Sequence, residues 1–577
     1  MTVRLEWDGK PTQVERISLP FQTVETINES RATRERDEGA LFGGGGTHDG
    51  SWCNQLIWGD NKLVMGSLLK EFAGEIKLIY IDPPFATGSD FELKVSVGDR
   101  NITKSPSILE EHAYRDTWGH GKSSYLSMLF DRLVLMHELL SEDGCIYVHL
   151  DWHVGHYAKL ILDEIFGADN FLNEVVRCYY GGGQSKEFFP RKHDPILLYR
   201  KGATWTFNAD DIRVPYDSDY QATVFASEDT RAPGKTYTPN ELGKVPEDWG
   251  IFMRPYGDEI VGYPTQKPRS LLERLIKASS NVDDLVADFF VGSGTTAEVA
   301  ERLGRRWIAC DLGRFAIHTT RKRLLNIPDC RPFEIRNLGS YERQRWRQES
   351  GNGALRGYLD TILAFYRAEP VEGFSHLHGR KAGRMVHIGA TDAPVTIDEA
   401  EEVMDELAEN GIESCDILGW EWEMGLHDTI GERARRRGLD VRTLQIPREV
   451  MERTVQEADA VRFFELAYVD LDVRRQGSEA KVVLKDFAIP SEDLIPPQVR
   501  EQITRWSDLI DYWSVDFDHA DGVFRNEWQA YRTKADPVLA TESDWHEYPQ
   551  PGAYAIVVKI IDIFGNDTTK LAEVTIK

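Results

Sequence analysis

Four consecutive residues, Asp82-Pro83-Pro84-Phe85, combine a carboxylate, two backbone-fixing rings and an aromatic face. They close an apolar run, Ile76 to Ile81, that reads as a strand, and the prolines stop it directly after Asp82. The carboxylate therefore falls at the carboxyl end of a strand, where open α/β sheets hold their ligands. The amino nitrogen of a heteroaromatic base is a poor nucleophile because its lone pair is delocalised into the ring. Two acceptors on its hydrogens, the Asp82 carboxylate and the Pro83 carbonyl, would favour the pyramidal geometry that attack needs, while Phe85 stacks on the ring. Read blandly, Asp-Pro-Pro is a turn. Average residue usage puts a chance Asp-Pro-Pro-aromatic in a chain of this length at well under about one in fifty.

A second motif lies about two hundred residues on: Asp288-Phe289-Phe290-Val291-Gly292-Ser293-Gly294-Thr295-Thr296. Leu285 to Phe290 reads as a buried strand, and Thr295 to Leu303 as a helix stopped by Gly304. Glycines at this crossover let the backbone approach a ligand closely, since no Cβ intervenes. Another strand, Trp307-Ile308-Ala309-Cys310, ends in Asp311, which is placed to accept hydrogen bonds from ribose hydroxyls. The third glycine of the dinucleotide fingerprint is missing, so a dinucleotide fold is disfavoured, whereas a plain tight turn in a doubly wound domain stays open.

With the catalytic motif ahead of the cofactor motif, the chain resembles the β-class amino-methyltransferases of DNA, and within them the methylation subunits of type III restriction-modification systems. Tyr263-Pro264-Thr265-Gln266-Lys267-Pro268 strengthens the likeness, as do Leu56-Ile57-Trp58-Gly59-Asp60-Asn61, Trp118 to Asp151 and His193 to Tyr199. The resemblance covers residues 50–345. It implies a Rossmann-like α/β fold that uses S-adenosylmethionine. Asp82, Pro83, Pro84 and Phe85 would hold the target base. Asp60, Asn61, Thr265, Gln266, Lys267, Pro268, Asp288, Phe290, Gly292, Ser293, Gly294, Thr295 and Asp311 would hold the cofactor. No metal site is implied. Asp at position 82 favours adenine N6 over cytosine N4. Because a duplex hides the amino nitrogen, the base would be flipped out, and transfer would be direct, without a covalent intermediate. An RNA or protein amide methyltransferase is the alternative from another class; the Thr-Gln-Lys-Pro segment and an insertion of recognition size weigh against it. An inactive DNA-binding subunit sits poorly with intact motifs.

The elements that must position these motifs follow from composition shifts. Residues 1–52 include a charged stretch, 29–38, and a glycine run, 43–46, and read as a mobile N-terminal arm. Residues 53–345 read as the catalytic domain. Its helix Tyr125 to Leu140 carries a core stripe of Leu126, Leu129, Leu133, Met136 and Leu140. Residues 201–262 lack periodicity and are the candidate target-recognition insertion, with Arg213, Tyr216, Tyr220, Gln221 and Arg231 available to DNA; a structural loop is the bland reading. Residues 346–505 read as a small α/β accessory domain and 506–577 as a β-rich module. The tail has no catalytic constellation, which leaves recognition, homodimerisation and docking of a restriction or helicase subunit open.

The net charge of −27 is unlike the footprint of a double-stranded-DNA binder, but residues 351–577 alone carry about −18. Basic residues cluster locally at Arg177 to Lys201 and at Arg305 to Arg323, for which a solvated face is the bland reading. The six scattered cysteines form no Cys-x-x-Cys pair, arguing against a zinc cluster or disulfide framework. Neither a membrane span nor a signal-peptide pattern is evident, so a cytoplasmic location is expected. The pair His153/His156 beside Asp151 reads as capping and packing more readily than as a metal site.

Overall fold

In the computed structural model, the residues described are 3–27, 52–84, 93–97, 100–104, 122–181, 186–216, 240–263, 265–349, 355–423, 426–452, 458, 461–490, 495, 500–501, 503–520, 522–532 and 538–577. Among them, eleven strands form one sheet: β1 (Gln22–Ile27), β2 (Asn54–Trp58), β3 (Ile76–Ile81), β4 (Leu140–His149), β5 (Phe171–Cys178), β6 (His193–Arg200), β7 (Trp249–Ile251), β8 (Leu285–Asp288), β9 (Arg306–Asp311), β10 (Phe333–Asn337) and β11 (Phe524–Asn526). Their spatial order is β11-β1-β10-β2-β9-β8-β3-β4-β6-β5-β7. From β10 to β4 every neighbouring pair is parallel, and β6 then runs antiparallel to β4.

Helices α1 (Asn61–Phe72), α2 (Lys122–Leu139), α3 (Gly155–Phe166), α4 (Arg269–Ser279), α5 (Thr295–Arg302) and α6 (Arg314–Leu325) cover the sheet. The stripe expected on α2 is buried; Leu140, also buried, opens β4 rather than closing the helix. From β8 the chain passes through α5 to β9 on one side, and from β3 through α2 to β4 on the other. The strand order thus reverses between β8 and β3, the crevice where open α/β sheets bind ligands. Val286 pairs with Leu78 and Ala287 with Ile79, which sets Asp288 level with Tyr80, two residues before Asp82, and both carboxylates line the same cavity at this end of the sheet.

Three expectations need correction. The N-terminal region is not wholly an arm: β1 pairs antiparallel with β10, and Trp7 packs edge-on against Phe130 of α2. Its period-2 pattern buries Glu25 and Ile27 on one face, a signal that the neighbouring charged run obscures. The β-rich module starts near residue 468 rather than 506. Hairpin Tyr468–Gln476 with Glu479–Ala488 shares one apolar core with strands Ile510–Asp516, Gly552–Asp562 and Asp567–Ile576. Finally, the basic run 305–323 is largely internal: Arg321 pairs with Glu25, Lys322 with Asp511, Arg323 with Glu298, and Arg305 donates to the Ser280 carbonyl.

The small α/β unit is built on three parallel strands, Arg384–Ile388, Ser414–Gly419 and Asp440–Gln445. Its helix Ile397–Glu409 begins at a reciprocal cap between Thr396 and Glu399. Among the described residues no helix is long and apolar enough to cross a membrane.

Candidate active site

The strand β3 ends because Pro83 and Pro84 have no amide to continue the ladder, which leaves Asp82 at its carboxyl end with a 17% exposed side chain. The Lys267 ammonium donates to Asp82 Oδ2, although 185 residues separate the two. The other oxygen, Oδ1, is buried and has no hydrogen-bond partner among the described residues. Such an acceptor costs free energy unless a donor arrives. Asp82, Lys267, Tyr80, Thr265, Asp288 and Gly292 line one narrow cavity. Phe85 lies outside the described residues.

On the glycine side, β8 stops at Asp288, whose carboxylate folds back to accept from Phe290 N (2.9 Å) and Thr296 Oγ1 (2.5 Å). Burial pushes this carboxyl up to about 7, and the charges of Asp82 and Asp311 act in the same direction. Gly292 (φ +50°) and Gly294 (φ +77°) take left-handed backbone that other residues resist. A Cβ on Gly294 would lie 2.7 Å from Thr320 Oγ1 of α6, so this glycine permits packing of the turn on α6. Gly292 faces the cavity, with the Tyr263 ring 3.3 Å from where its Cβ would be.

Asp311 accepts from Gly292 N and Gly313 N, both at 2.9 Å, so it anchors the glycine turn. Asp60 caps α1 by accepting from Lys62 N at 2.7 Å and holds Arg132. The Asn61 amide donates to the Phe289 carbonyl at 2.8 Å, tying α1 to the turn.

In the Thr265-Gln266-Lys267-Pro268 segment the residues diverge. Gln266 bonds the Glu259 carbonyl (2.6 Å) and Val261 N (3.1 Å), fixing its own loop, while Pro268 precedes α4. Thr265 (φ +61°) lines the cavity, and Lys267, expected on the cofactor wall, reaches the Asp82 carboxylate. Ser293 and Thr295 face Arg323: its Nη1 donates to Ser293 O (3.1 Å) and Thr295 Oγ1 (3.0 Å).

A buried polar chain beneath Asp82 escaped the sequence reading. Tyr80 Oη lies 2.7 Å from His149 Nδ1, whose Nε2 is 3.6 Å from Asp194; Arg177 donates to Asp194 at 3.1 Å. Burial lowers the His149 pKa, so the ring is neutral near pH 7. Only pairing across β3, β4, β6 and β5 brings these residues together, and no local spacing announces it.

The same edge carries exposed aromatic and cationic side chains: Trp152, Tyr180, Phe188, Phe189 (96% exposed) and Arg191. The Arg191 guanidinium lies 3.8 Å from the Trp152 ring centroid and 4.7 Å from that of Phe188. Within the 201–262 insertion, Arg213 pairs with Asp210 and the Tyr216 hydroxyl accepts from Asn240 N at 2.9 Å. Tyr220, Gln221 and Arg231 lie outside the described residues.

The site fits S-adenosylmethionine. Its glycine turn leaves backbone room, carboxylates suit a sulfonium and ribose hydroxyls, and an orphaned acceptor sits beside the turn. Chemically it pairs a carboxylate at one strand end with a nucleoside cradle at the next.

A family model described as DNA methylase matches residues 76–322, spanning both motifs. The type II methyltransferase M.EcaI of Enterobacter cloacae is 31% identical over 330 residues, covering 47% of this chain and 69% of the relative. DNA adenine methyltransferase YhdJ of Escherichia coli is 28% identical, over 48% of this chain and 85% of the relative. The Mod subunit of the type III restriction-modification enzyme EcoPI of Escherichia phage P1 is 23% identical, over 53% and 62%. The switch-point site and these likenesses together identify the chain as a member of the N6/N4 DNA methylase family.

Proposed function

We propose that this DNA methyltransferase modifies adenine N6 in double-stranded DNA at a specific site, with the target base swung out of the helix. S-adenosylmethionine, when bound, supplies an electrophilic methyl group on a sulfonium. Gly292, Ser293 and Gly294 let the backbone close on it, and Asp311 and Asp60 accept from its polar groups. Asp82 Oδ1 and the Pro83 carbonyl accept the two N6 hydrogens, which localises the nitrogen lone pair for in-line attack, and Phe85 stacks on the base. As the N–C bond forms, the methyl–sulfur bond would break with its electron pair left on sulfur as a neutral thioether, and the amine, now cationic, sheds one proton, which Asp82 takes.

The observation that carries this reading is the orphaned Asp82 Oδ1, buried at the switch point beside the glycine turn. The exposed Trp152, Phe188, Phe189 and Arg191 support a DNA face along the same edge, since aromatic faces and guanidinium groups receive unstacked bases and phosphate. Likeness to the EcoPI Mod subunit supports a role beside a separate restriction subunit.

The test is to incubate duplex DNA with the purified chain and labelled S-adenosylmethionine, digest it to nucleosides, and separate the products. Label in N6-methyldeoxyadenosine is expected. Label in N4-methyldeoxycytidine would overturn the choice of base, and label in neither would overturn the substrate.

A further inference from the structure

The acidic C-terminal module joins the catalytic sheet directly. Strand β11 runs parallel to β1, pairing Glu25 with Phe524 and Ile27 with Asn526. Beside this seam lies α6, whose two sides hold different partners. His318, Arg321 and Lys322, at i, i+3 and i+4, share one side. His318 Nε2 lies 2.7 Å from Asp511 Oδ2, Lys322 donates to both Asp511 oxygens at 2.8 and 3.0 Å, and Arg321 pairs at 2.7 Å with Glu25, which also holds Lys559 at 2.8 Å. Thr320 and Arg323 lie against the glycine turn. Thr320 Oγ1 donates to Gly292 O at 3.4 Å and fills the space where Gly294 lacks a Cβ, and Arg323 holds Ser293, Thr295 and Glu298.

We propose that Asp511 is a positioning residue for the cofactor turn, acting from the C-terminal module through α6. This rests on reading the turn as the S-adenosylmethionine site. Asp511, its side chain only 14% exposed, is the anion that holds two cationic or polarised groups one helical turn apart. Burial alone would raise its pKa, but Lys322 and His318 hold it well below the carboxylate range, so it is ionised throughout the working pH range. Without that charge, Lys322 is stranded one residue from the Arg321 guanidinium in a partly dry seam, and like charges push the helix outward. Any shift of α6 reaches Gly292 and Gly294 through Thr320 and Arg323, because packed interiors transmit strain. The module thereby gains a role in the reaction without reaching the substrate.

The experiment is calorimetric titration of S-adenosylmethionine into the full chain, wild type and Asp511→Asn, with a thermal melt of each and steady-state kinetics. Val482→Ala is the control: it hollows the core of the same module at a residue that makes none of these contacts. Asp511→Asn is expected to weaken cofactor binding about tenfold and raise the KM for the cofactor equally, with kcat at saturation and DNA affinity within twofold. Adding Lys322→Met, which removes the stranded charge, should recover part of the loss. Folded Asp511→Asn with wild-type cofactor affinity would overturn the inference, as would an equal loss in Val482→Ala. If the wild-type chain itself binds no S-adenosylmethionine, it is the reading of the turn that fails.

Discussion

The ammonium of Lys267 sits on the carboxylate of Asp82 and occupies one of its two oxygens, leaving Oδ1 buried without a donor among the described residues. A Thr-Gln-Lys-Pro segment expected to wall the cofactor thus delivers its one cation to the catalytic motif. Lys267→Met should therefore slow methyl transfer about tenfold or more, the cost of one charged hydrogen bond, while changing cofactor affinity less than threefold. Single-turnover rates at saturating cofactor decide this. An unchanged rate with strongly weakened cofactor binding would return Lys267 to the cofactor wall.

Gly294→Val should act first on the fold. The added side chain strikes Thr320, and φ +77° strains any β-branched residue. A loss of about 2–4 kcal/mol in stability is expected, in the range of overpacking plus backbone strain. Chemical denaturation without ligand measures it. A variant as stable as wild type that merely fails to bind cofactor would show that the clash is with ligand alone.

Asp288 gives a pH dependence of known sign. Its folded pKa, up to about 7, lies above the unfolded value. Between the two the native state holds a proton that the unfolded chain has lost, so stability falls as pH rises toward 7. Asp288→Asn removes this titration. Its stability relative to wild type should improve by about 2 kcal/mol between pH 5 and pH 8. Denaturant melts at the two pH values give the difference, and a constant gap would mean Asp288 ionises normally.

Much of the site was legible because its signals are local. Prolines stop β3 after Asp82 and glycines mark the turn after β8, each within a few residues. What was not legible depends on distant pairing. The Lys267–Asp82 contact, the Tyr80–His149–Asp194 chain and the packing of Thr320 on Gly294 arise only when the sheet assembles. Strand β1 was missed for a different reason: Glu25, a charge in a strand core, is tolerable only because Arg321 and Lys559 arrive from 296 and 534 residues away. The same long reach made the arginines of α6 look like a DNA-facing patch.

That reach also bears on truncation. A chain ended near residue 351 loses β11, strips Lys559 from Glu25 and Asp511 from Lys322, and exposes Phe315 and Ala316, which share the module's apolar core. It should aggregate or melt at least about 10 °C lower, as a loss of a few kcal/mol implies. A stable, monomeric fragment with wild-type cofactor affinity would mean the seam is dispensable.

Trp152→Ala and Phe189→Ala should each weaken binding to a DNA that the wild type methylates by about 1–3 kcal/mol, the range for an aromatic that stacks on a base. Cofactor affinity should stay unchanged. Fluorescence anisotropy of labelled duplex reports the loss; wild-type DNA affinity in both variants would place the DNA elsewhere on the edge.

The most direct measurement is methyl transfer by Asp82→Ala beside cofactor titration of the same protein. Removing the acceptor for the amino hydrogen should cost about 2–4 kcal/mol in the transition state, a hundredfold or more in rate. Cofactor affinity should stay within a few-fold of wild type, and the residual product should still be N6-methyladenine. Near-normal turnover in Asp82→Ala would contradict the catalytic assignment outright.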